Sequence, residues 1–292
     1  MYGPRLCTRW CISATAAIVM TGACNGAPSA PTIRIDPEAP TTNVALTMVV
    51  VDEAVDPNDD AVSYVIEWLK DGEVVPELVG EDTVPAVSTR KGQEWTVRVS
   101  AIDREGVDDP ATATDSVSNG NTPPSLDTLS LTPESPRTLD TLTVDASGSD
   151  PDGDAINLAY EWRVNGTVQA AKGAELDGDA FVKGDVVEVS VTVNDGTDDG
   201  TPDTASVTIV NTPPTYSGIE LIGAEPVTQE STLACTVSGW EDADGDTESA
   251  TITWYIDGVA AAEGPTFTPT DASKGEEIWC EATPFDGEEV GP

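Results

Sequence analysis

Four landmarks recur in fixed order along this chain, and that repetition constrains the fold more than any other feature. Trp68, Trp162 and Trp254 each stand three residues before an Asp-Gly or Asn-Gly pair, at Asp71-Gly72, Asn165-Gly166 and Asp257-Gly258. A Lys-Gly pair follows in each copy, at Lys91-Gly92, Lys183-Gly184 and Lys274-Gly275, and an aspartate stands eleven positions beyond each glycine, at Asp103, Asp195 and Asp286. Asn-Thr-Pro-Pro closes the first two copies, at 121–124 and 211–214. The chain therefore divides into repeats at 31–122, 123–212 and 213–292, joined by Pro-Pro segments that act as stiff extended hinges.

Within each repeat the apolar period is two. Val187, Val189, Val191 and Val193 alternate with Glu188, Ser190, Thr192 and Asn194, so one face is dry and the other wet. Ile66, Tyr160 and Ile252 lie two residues before the tryptophans and share their side of the strand, and Ile278, Cys280 and Ala282 form the inward set of the third copy. The Asp-Gly and Asn-Gly pairs tolerate the positive φ of a tight hairpin. The 22 prolines and 25 glycines punctuate many short strands. No sustained helical period appears beyond the N-terminal segment. The expectation is an all-β chain, one seven-strand sandwich per repeat.

In the third copy the order Cys235, Trp254, Cys280 resembles the pattern of immunoglobulin-like domains, with cysteines on the second and sixth strands and the tryptophan packed against their bridge. Val144 takes the place of Cys235 in the second copy, and Val97 and Val189 take that of Cys280. The whole chain after residue 30 resembles the tandem Ig-like, PKD-like or cadherin-like repeats of bacterial surface lipoproteins. It lacks the Trp-Asp-Phe-Gly-Asp-Gly signature of PKD domains. The resemblance implies three tandem Ig-like β-sandwich domains after an N-terminal signal peptide. Gly291 matches Gly200, after which the second copy runs on through Thr204–Val210, so the third domain is expected to lack its last strand. Either the array continues or a strand from elsewhere completes it.

Arg5 and Arg9 precede the apolar run Ile12–Met20, a layout expected of a secretory signal at 1–23. The run is too short to cross a bilayer. Thr21-Gly22-Ala23-Cys24 resembles the lipobox of bacterial lipoproteins, which implies cleavage before Cys24 and its acylation, with residues 24–30 as a linker; a plain signal peptide is the alternative. Asn25 is not the aspartate that retains lipoproteins at the inner membrane in enteric-type sorting. The expected address is the cell envelope, as an outer-membrane lipoprotein facing the exterior or the periplasm. Cys7 and Cys11 leave with the signal. Cys235 and Cys280 then remain as a pair that reads as a disulfide in an exported chain, or else as two buried thiols.

The formal charge of −40 argues against nucleic acid as a partner, and the absence of histidine excludes a Ser-His-Asp triad or a His-bound zinc. Carboxylates cluster at Asp150, Asp152 and Asp154, and again at Asp242, Asp244 and Asp246, each set with a glycine in its bend. Hard oxygens converging in this way suit Ca²⁺. Asp195 and Asp286 are expected at the same ends of their sandwiches, which makes all eight candidate metal ligands; solvated turns are the bland alternative. The first copy, Asp56-Pro57-Asn58-Asp59-Asp60, lacks the glycine and is the weaker candidate. Acids confined to short turns offer no cleft for glycosidase chemistry, so no enzyme is expected.

Trp240 and Trp279 fall on polar positions and are candidate contacts for a glycan or a surface protein, or covers for a neighbouring loop. The expected function is a lipid-anchored acidic scaffold, spacer or adhesion-type protein spanning on the order of 100 Å. The alternative is a glycan- or protein-binding module displayed on the cell surface.

Overall fold

The computed structural model describes residues 26–103, 110–223 and 225–292, and over these the chain is all-β. In the first repeat the strands are β1 (Thr32–Asp36), β2 (Leu46–Asp52), β3 (Ser63–Lys70), β4 (Glu73–Val74), β5 (Thr83–Val84), β6 (Glu94–Ile102) and β7 (Ala111–Ser118). They form two antiparallel sheets, β1-β2-β5 and β4-β3-β6-β7. The second repeat copies this with β8 (Ser125–Thr132), β9 (Leu142–Ser149), β10 (Asn157–Val164), β11 (Thr167–Val168), β12 (Glu175–Leu176), β13 (Val186–Asn194) and β14 (Asp203–Thr208), arranged as β8-β9-β12 and β11-β10-β13-β14.

The third repeat has β15 (Thr215–Ile222), β16 (Leu233–Glu241), β17 (Ser249–Ile256), β18 (Val259–Glu263), β19 (Thr266–Phe267) and β20 (Ile278–Phe285), in sheets β15-β16-β19 and β18-β17-β20. Its counterpart of β7 and β14 is missing among the described residues, as the sequence leads one to expect. Only an isolated bridge between Phe285 and Val290 touches that edge of β20.

The alternating valines explain the pairing. Val187, Val189, Val191 and Val193 on β13 are fully buried, while the residues between them face outward. Each repeat's tryptophan sits in register with the core residue of the neighbouring strand: Trp68 with Val97, Trp162 with Val189, Trp254 with Cys280. All three indoles are buried, and each donates its N–H to a backbone carbonyl, of Glu81, Gly173 and Gly264 respectively. The polar edge of a large buried ring is thereby satisfied. The hairpins that follow bend at positive φ, 51° and 86° at Asp71-Gly72, 48° and 80° at Asn165-Gly166, and 46° and 79° at Asp257-Gly258. These are the left-handed pairs that match strand twist in a two-residue turn.

In the third repeat Cys235 on β16 and Cys280 on β20 form a disulfide that links the two sheets. By contact the chain makes two compact units. One takes in the first repeat together with the loops Asp150–Ala155 and Asp195–Asp198; the other takes in the remainder of the second repeat and the third.

Candidate functional site

The acidic loops fold from their first aspartate outward. Asp150 Oδ1 accepts the backbone N–H groups of Asp152 and Asp154 at 2.8 and 3.0 Å, and Asp242 Oδ1 accepts those of Asp244 and Asp246 at 2.9 and 3.1 Å. Asp56 Oδ1 does the same for Asn58 and Asp60, at 2.7 and 3.1 Å. Gly153 and Gly245 take φ of 81° and 77°; the first loop, which has no glycine, places Asp59 at 63° instead. Aspartate tolerates this region better than most side chains, so the missing glycine does not prevent the same turn. The second oxygen of the leading aspartate, Oδ2 of Asp56, Asp150 and Asp242, is buried without a hydrogen-bond partner in all three loops.

Each loop then captures the segment that enters its repeat. The backbone N–H of Thr122 donates to Asp152 Oδ2 at 2.6 Å, that of Thr212 to Asp244 Oδ2 at 2.6 Å, and that of Gly26 to Asn58 Oδ1 at 2.7 Å. One residue earlier, the linker asparagine bridges two charges of opposite sign. Asn121 Oδ1 accepts Lys91 Nζ at 2.6 Å, while its amide donates to Asp195 and to Asp198, both at 2.8 Å. Asn211 Oδ1 accepts Lys183 Nζ at 2.9 Å, and its amide donates to the buried Asp286 at 2.7 Å. Lys91 Nζ also reaches Asp154 Oδ2 at 2.5 Å, and Lys183 Nζ reaches Asp246 Oδ2 at 2.6 Å and Glu288 Oε1 at 2.9 Å.

These contacts set the protonation states. Hydrogen bonding to Asp154 raises the Lys91 ammonium above its ordinary range, and bonds to Asp246 and then Glu288 raise Lys183 further. Both are held as cations. The Asn121 amide and the N–H groups of Asp198 and Thr197 lower Asp195. Burial pushes Asp286 upward, but the Asn211 amide and the N–H groups of Glu289 and Glu288 outweigh it, and the net shift is downward. Carboxylates stabilised by several donors remain ionised to lower pH.

Of the eight candidate metal ligands, Asp150, Asp152 and Asp154 offer oxygens within 4.8 Å of one another, and so do Asp242, Asp246 and Asp286. Asp195 stands outside the first group, occupied by Asn121 and by the N–H groups of Thr197 and Asp198. Asp244 stands outside the second, with Oδ2 occupied by the Thr212 N–H. The donors are hard oxygens, and the buried Oδ2 atoms of Asp150 and Asp242 have coordination to spare, which fits Ca²⁺. A lysine of the preceding repeat already contributes positive charge to each cluster. Reading the sequence for ligands did not single out Lys91, Lys183, Asn121, Asn211, Thr122 and Thr212, although they lie in the Lys-Gly and Asn-Thr-Pro-Pro landmarks. Their recurrence at a constant distance from the acids is the signal in the sequence that points to them.

Trp240 on β16 is half-buried, its ring edge-to-face with Tyr216 at a centroid distance of 5.4 Å. Trp279 on β20 is 38% exposed and stacks on Tyr255 at 4.0 Å, while the Tyr255 hydroxyl donates to Glu281. Cys24 and the signal segment lie outside the described residues. Among those described, no helix is long and apolar enough to cross a membrane.

No family model matches the chain, and no curated protein does. Among solved structures it is similar to the FN1–FN3 domains of chicken CNTN1, at 13% identity over 91% of this chain and 96% of that one, with a TM-score of 0.29. It is also similar to the three N-terminal domains of the highly immunogenic outer capsid protein of bacteriophage RB49, at 15% identity over 91% and 95%, with a TM-score of 0.31. Three titin domains match at 11% identity over 90% and 96%, with a TM-score of 0.35. The sandwich assignment stands on the sheets and registers described above.

Proposed function

We propose that this protein is a non-catalytic, lipid-anchored scaffold of adhesion type in a bacterial cell envelope, carried by an outer-membrane lipoprotein anchor at Cys24. The observation that supports this most is the linker clasp. A lysine, an asparagine and a backbone N–H meet the acidic loops in the same way at Lys91-Asn121-Thr122 and at Lys183-Asn211-Thr212. Such a clasp ties each linker to the acidic loops of the repeat it enters, which suits a spacer better than a freely flexible linker does. The strong negative charge discourages self-association and attachment to anionic surfaces.

Two measurements test the reading. Small-angle scattering of the purified chain should give a radius of gyration well above the about 19 Å of one compact globule of this length; a value near that figure would sink the spacer. Radiolabelled palmitate should enter the wild type and not Cys24→Ser, with loss of the membrane-bound fraction; an unlabelled wild type removes the anchor. Ca²⁺ belongs to the same proposal, as a ligand of Asp150, Asp152 and Asp154 and of Asp242, Asp246 and Asp286. Added Ca²⁺ should raise the thermal midpoint relative to chelator at low ionic strength, and Asp242→Asn should shrink the gain; an unchanged midpoint rules the metal out. The alternative, a module that binds a glycan or a protein, draws support from the surroundings of Trp240.

A further inference from the structure

In the first and second repeats the sixth strand is covered along its outer edge by a seventh, β7 on β6 and β14 on β13. Past that strand the chain closes the end of the sandwich with Asn119 and Ile209, which are 3% and 1% exposed. Their carbonyls accept the N–H groups of Gly92 and Gly184, both at 2.9 Å. Gly275 holds the same place in the Lys-Gly pair of the third repeat, and among the described residues no such segment reaches it. It lines instead a groove of about 570 Å³, together with Lys274, Leu221, Leu233, Ala272 and Ile278.

The lining shows what this groove lacks. Leu221 pairs with Cys235 as Ile35 pairs with Met48 and Leu131 with Val144, so the three are equivalent positions. Ile35 is 0% exposed and Leu131 7%, whereas Leu221 is 42% exposed. An aliphatic side chain that two copies bury and the third leaves wet belongs to a core short of one element. The backbone is open on the same side. Glu277 C=O accepts the Asp257 N–H on the β17 side, and Pro284 C=O accepts the Gly291 N–H on the other, so the alternation turns the backbone groups of Ile278, Cys280 and Ala282 to the open edge. Trp279 flanks them. Tyr255 on β17 covers one face of its ring at 4.0 Å, which leaves the other face toward that edge.

We infer that this groove and edge take up an extended segment of a different polypeptide as a seventh strand, antiparallel to β20. The two copies that already hold such a strand state its chemistry. Aliphatic residues point inward at alternate positions, as Ala205, Val207 and Ile209 do, and an asparagine stands two residues beyond the last of them. Pairing with Ile278, Cys280 and Ala282 supplies main-chain hydrogen bonds, and the last aliphatic residue buries itself against Leu221 and Leu233. The asparagine meets Lys274 as Asn121 meets Lys91 and Asn211 meets Lys183. A second copy of this chain does not suit the place: its β7 and β14 are already paired with β6 and β13, and a charge of −40 opposes bringing two such chains together. This goes beyond the scaffold reading, which rests on the clasps, and failure here leaves that reading intact.

The test uses the full chain and the blocked peptide acetyl-Asp-Thr-Ala-Ser-Val-Thr-Ile-Val-Asn-Thr-amide, the sequence of residues 203–212, with hydrogen exchange followed by NMR at the amides of Ile278, Cys280 and Ala282. Those amides should exchange fast in the free chain and about ten-fold slower or more at saturating peptide, with the Trp279 indole signal shifting along the same curve. Replacing the peptide's isoleucine by aspartate should remove the protection. Replacing its asparagine by alanine should weaken binding several-fold, and that difference should vanish in Lys274→Met, an exposed change that spares the fold. Leu221→Asp, also at an exposed position, should abolish the response. Amides already protected in the free chain, equal protection by a scrambled peptide of the same composition, or no response to the peptide would each overturn the proposal.

Discussion

The second and third repeats share one strand plan yet hold their cores together by different means. The second surrounds Trp162 with Leu142, Val144, Leu176, Phe181, Val187, Val189, Val191 and Ile209, all buried. Among the described residues, the core cluster of the third buries Leu233, Cys235, Ile252 and Trp254, with Phe267 stacked on the indole. Where the second places Val144 and Val189, the third places the Cys235–Cys280 bridge. Burial stabilises by roughly 25 cal/mol per Å² of apolar area, so the third repeat begins from the weaker position. A covalent tie that closes 45 residues contributes about 4 kcal/mol by the chain-entropy estimate and offsets part of the deficit.

Removing the bridge is therefore expected to have the largest effect of any single change. Cys280→Ser, or reduction, should unfold the third repeat while the second keeps its protected amides, read by hydrogen exchange repeat by repeat. Equal loss of protection in both would show that the aliphatic core of the second is no sturdier than the bridged one, and the contrast would fall.

The two linker clasps make a second, finer contrast within the same plan. Asn211 meets an aspartate that is buried, whereas Asn121 meets one that is only part-buried. Asn211→Ala strands the Asp286 carboxylate without its side-chain donor and should cost about 2 kcal/mol in denaturant unfolding, the usual range for a hydrogen bond to a buried charge. Asn121→Ala should cost less, because water can replace the amide at Asp195. Similar costs at both places would mean that burial is not what distinguishes them.

Acid should sharpen the same difference. Asp286 is lowered below its ordinary 3.8 in the folded chain, so its contribution is present above that value and is lost as pH falls through the folded pKa. The gap between wild type and Asn211→Ala should stay constant from neutral pH down to about 4 and close below it. A gap that persists at pH 2 would show that Asn211 acts through packing and not through the carboxylate.

Much of this was legible in the residues themselves. Val187 to Val193 announce a strand with one dry face, and Asp71-Gly72, Asn165-Gly166 and Asp257-Gly258 announce hairpins, because both signals are local. The pairing of Cys235 with Cys280 could be read from cysteine arithmetic, helped by the position of Trp254. The clasp was not legible in the same way. Lys183 and Asp246 lie in different repeats, and no local period relates an exposed lysine in one turn to a carboxylate in the next. The first loop, expected to be the weaker metal candidate for want of a glycine, still makes the turn because Asp59 adopts the left-handed backbone, but among the described residues it brings no three acids within ligand reach of one another.

The smallest expected effect separates the two lysines. Lys183 reaches two carboxylates, Asp246 and Glu288, and Lys91 reaches one, Asp154. Partly exposed pairs of this kind contribute little, because solvent and salt screen them. Lys183→Met should lower the thermal midpoint slightly more than Lys91→Met at low ionic strength, and both differences should vanish in high salt. Alkali should erase them too. Each ammonium has its pKa raised in the folded state, so its contribution is full below the ordinary 10.5 and is lost as pH climbs through the folded value. If Lys91→Met proved the more damaging, the number of carboxylates would not govern the clasp. The asymmetry between the joints would then have to lie in the asparagines alone.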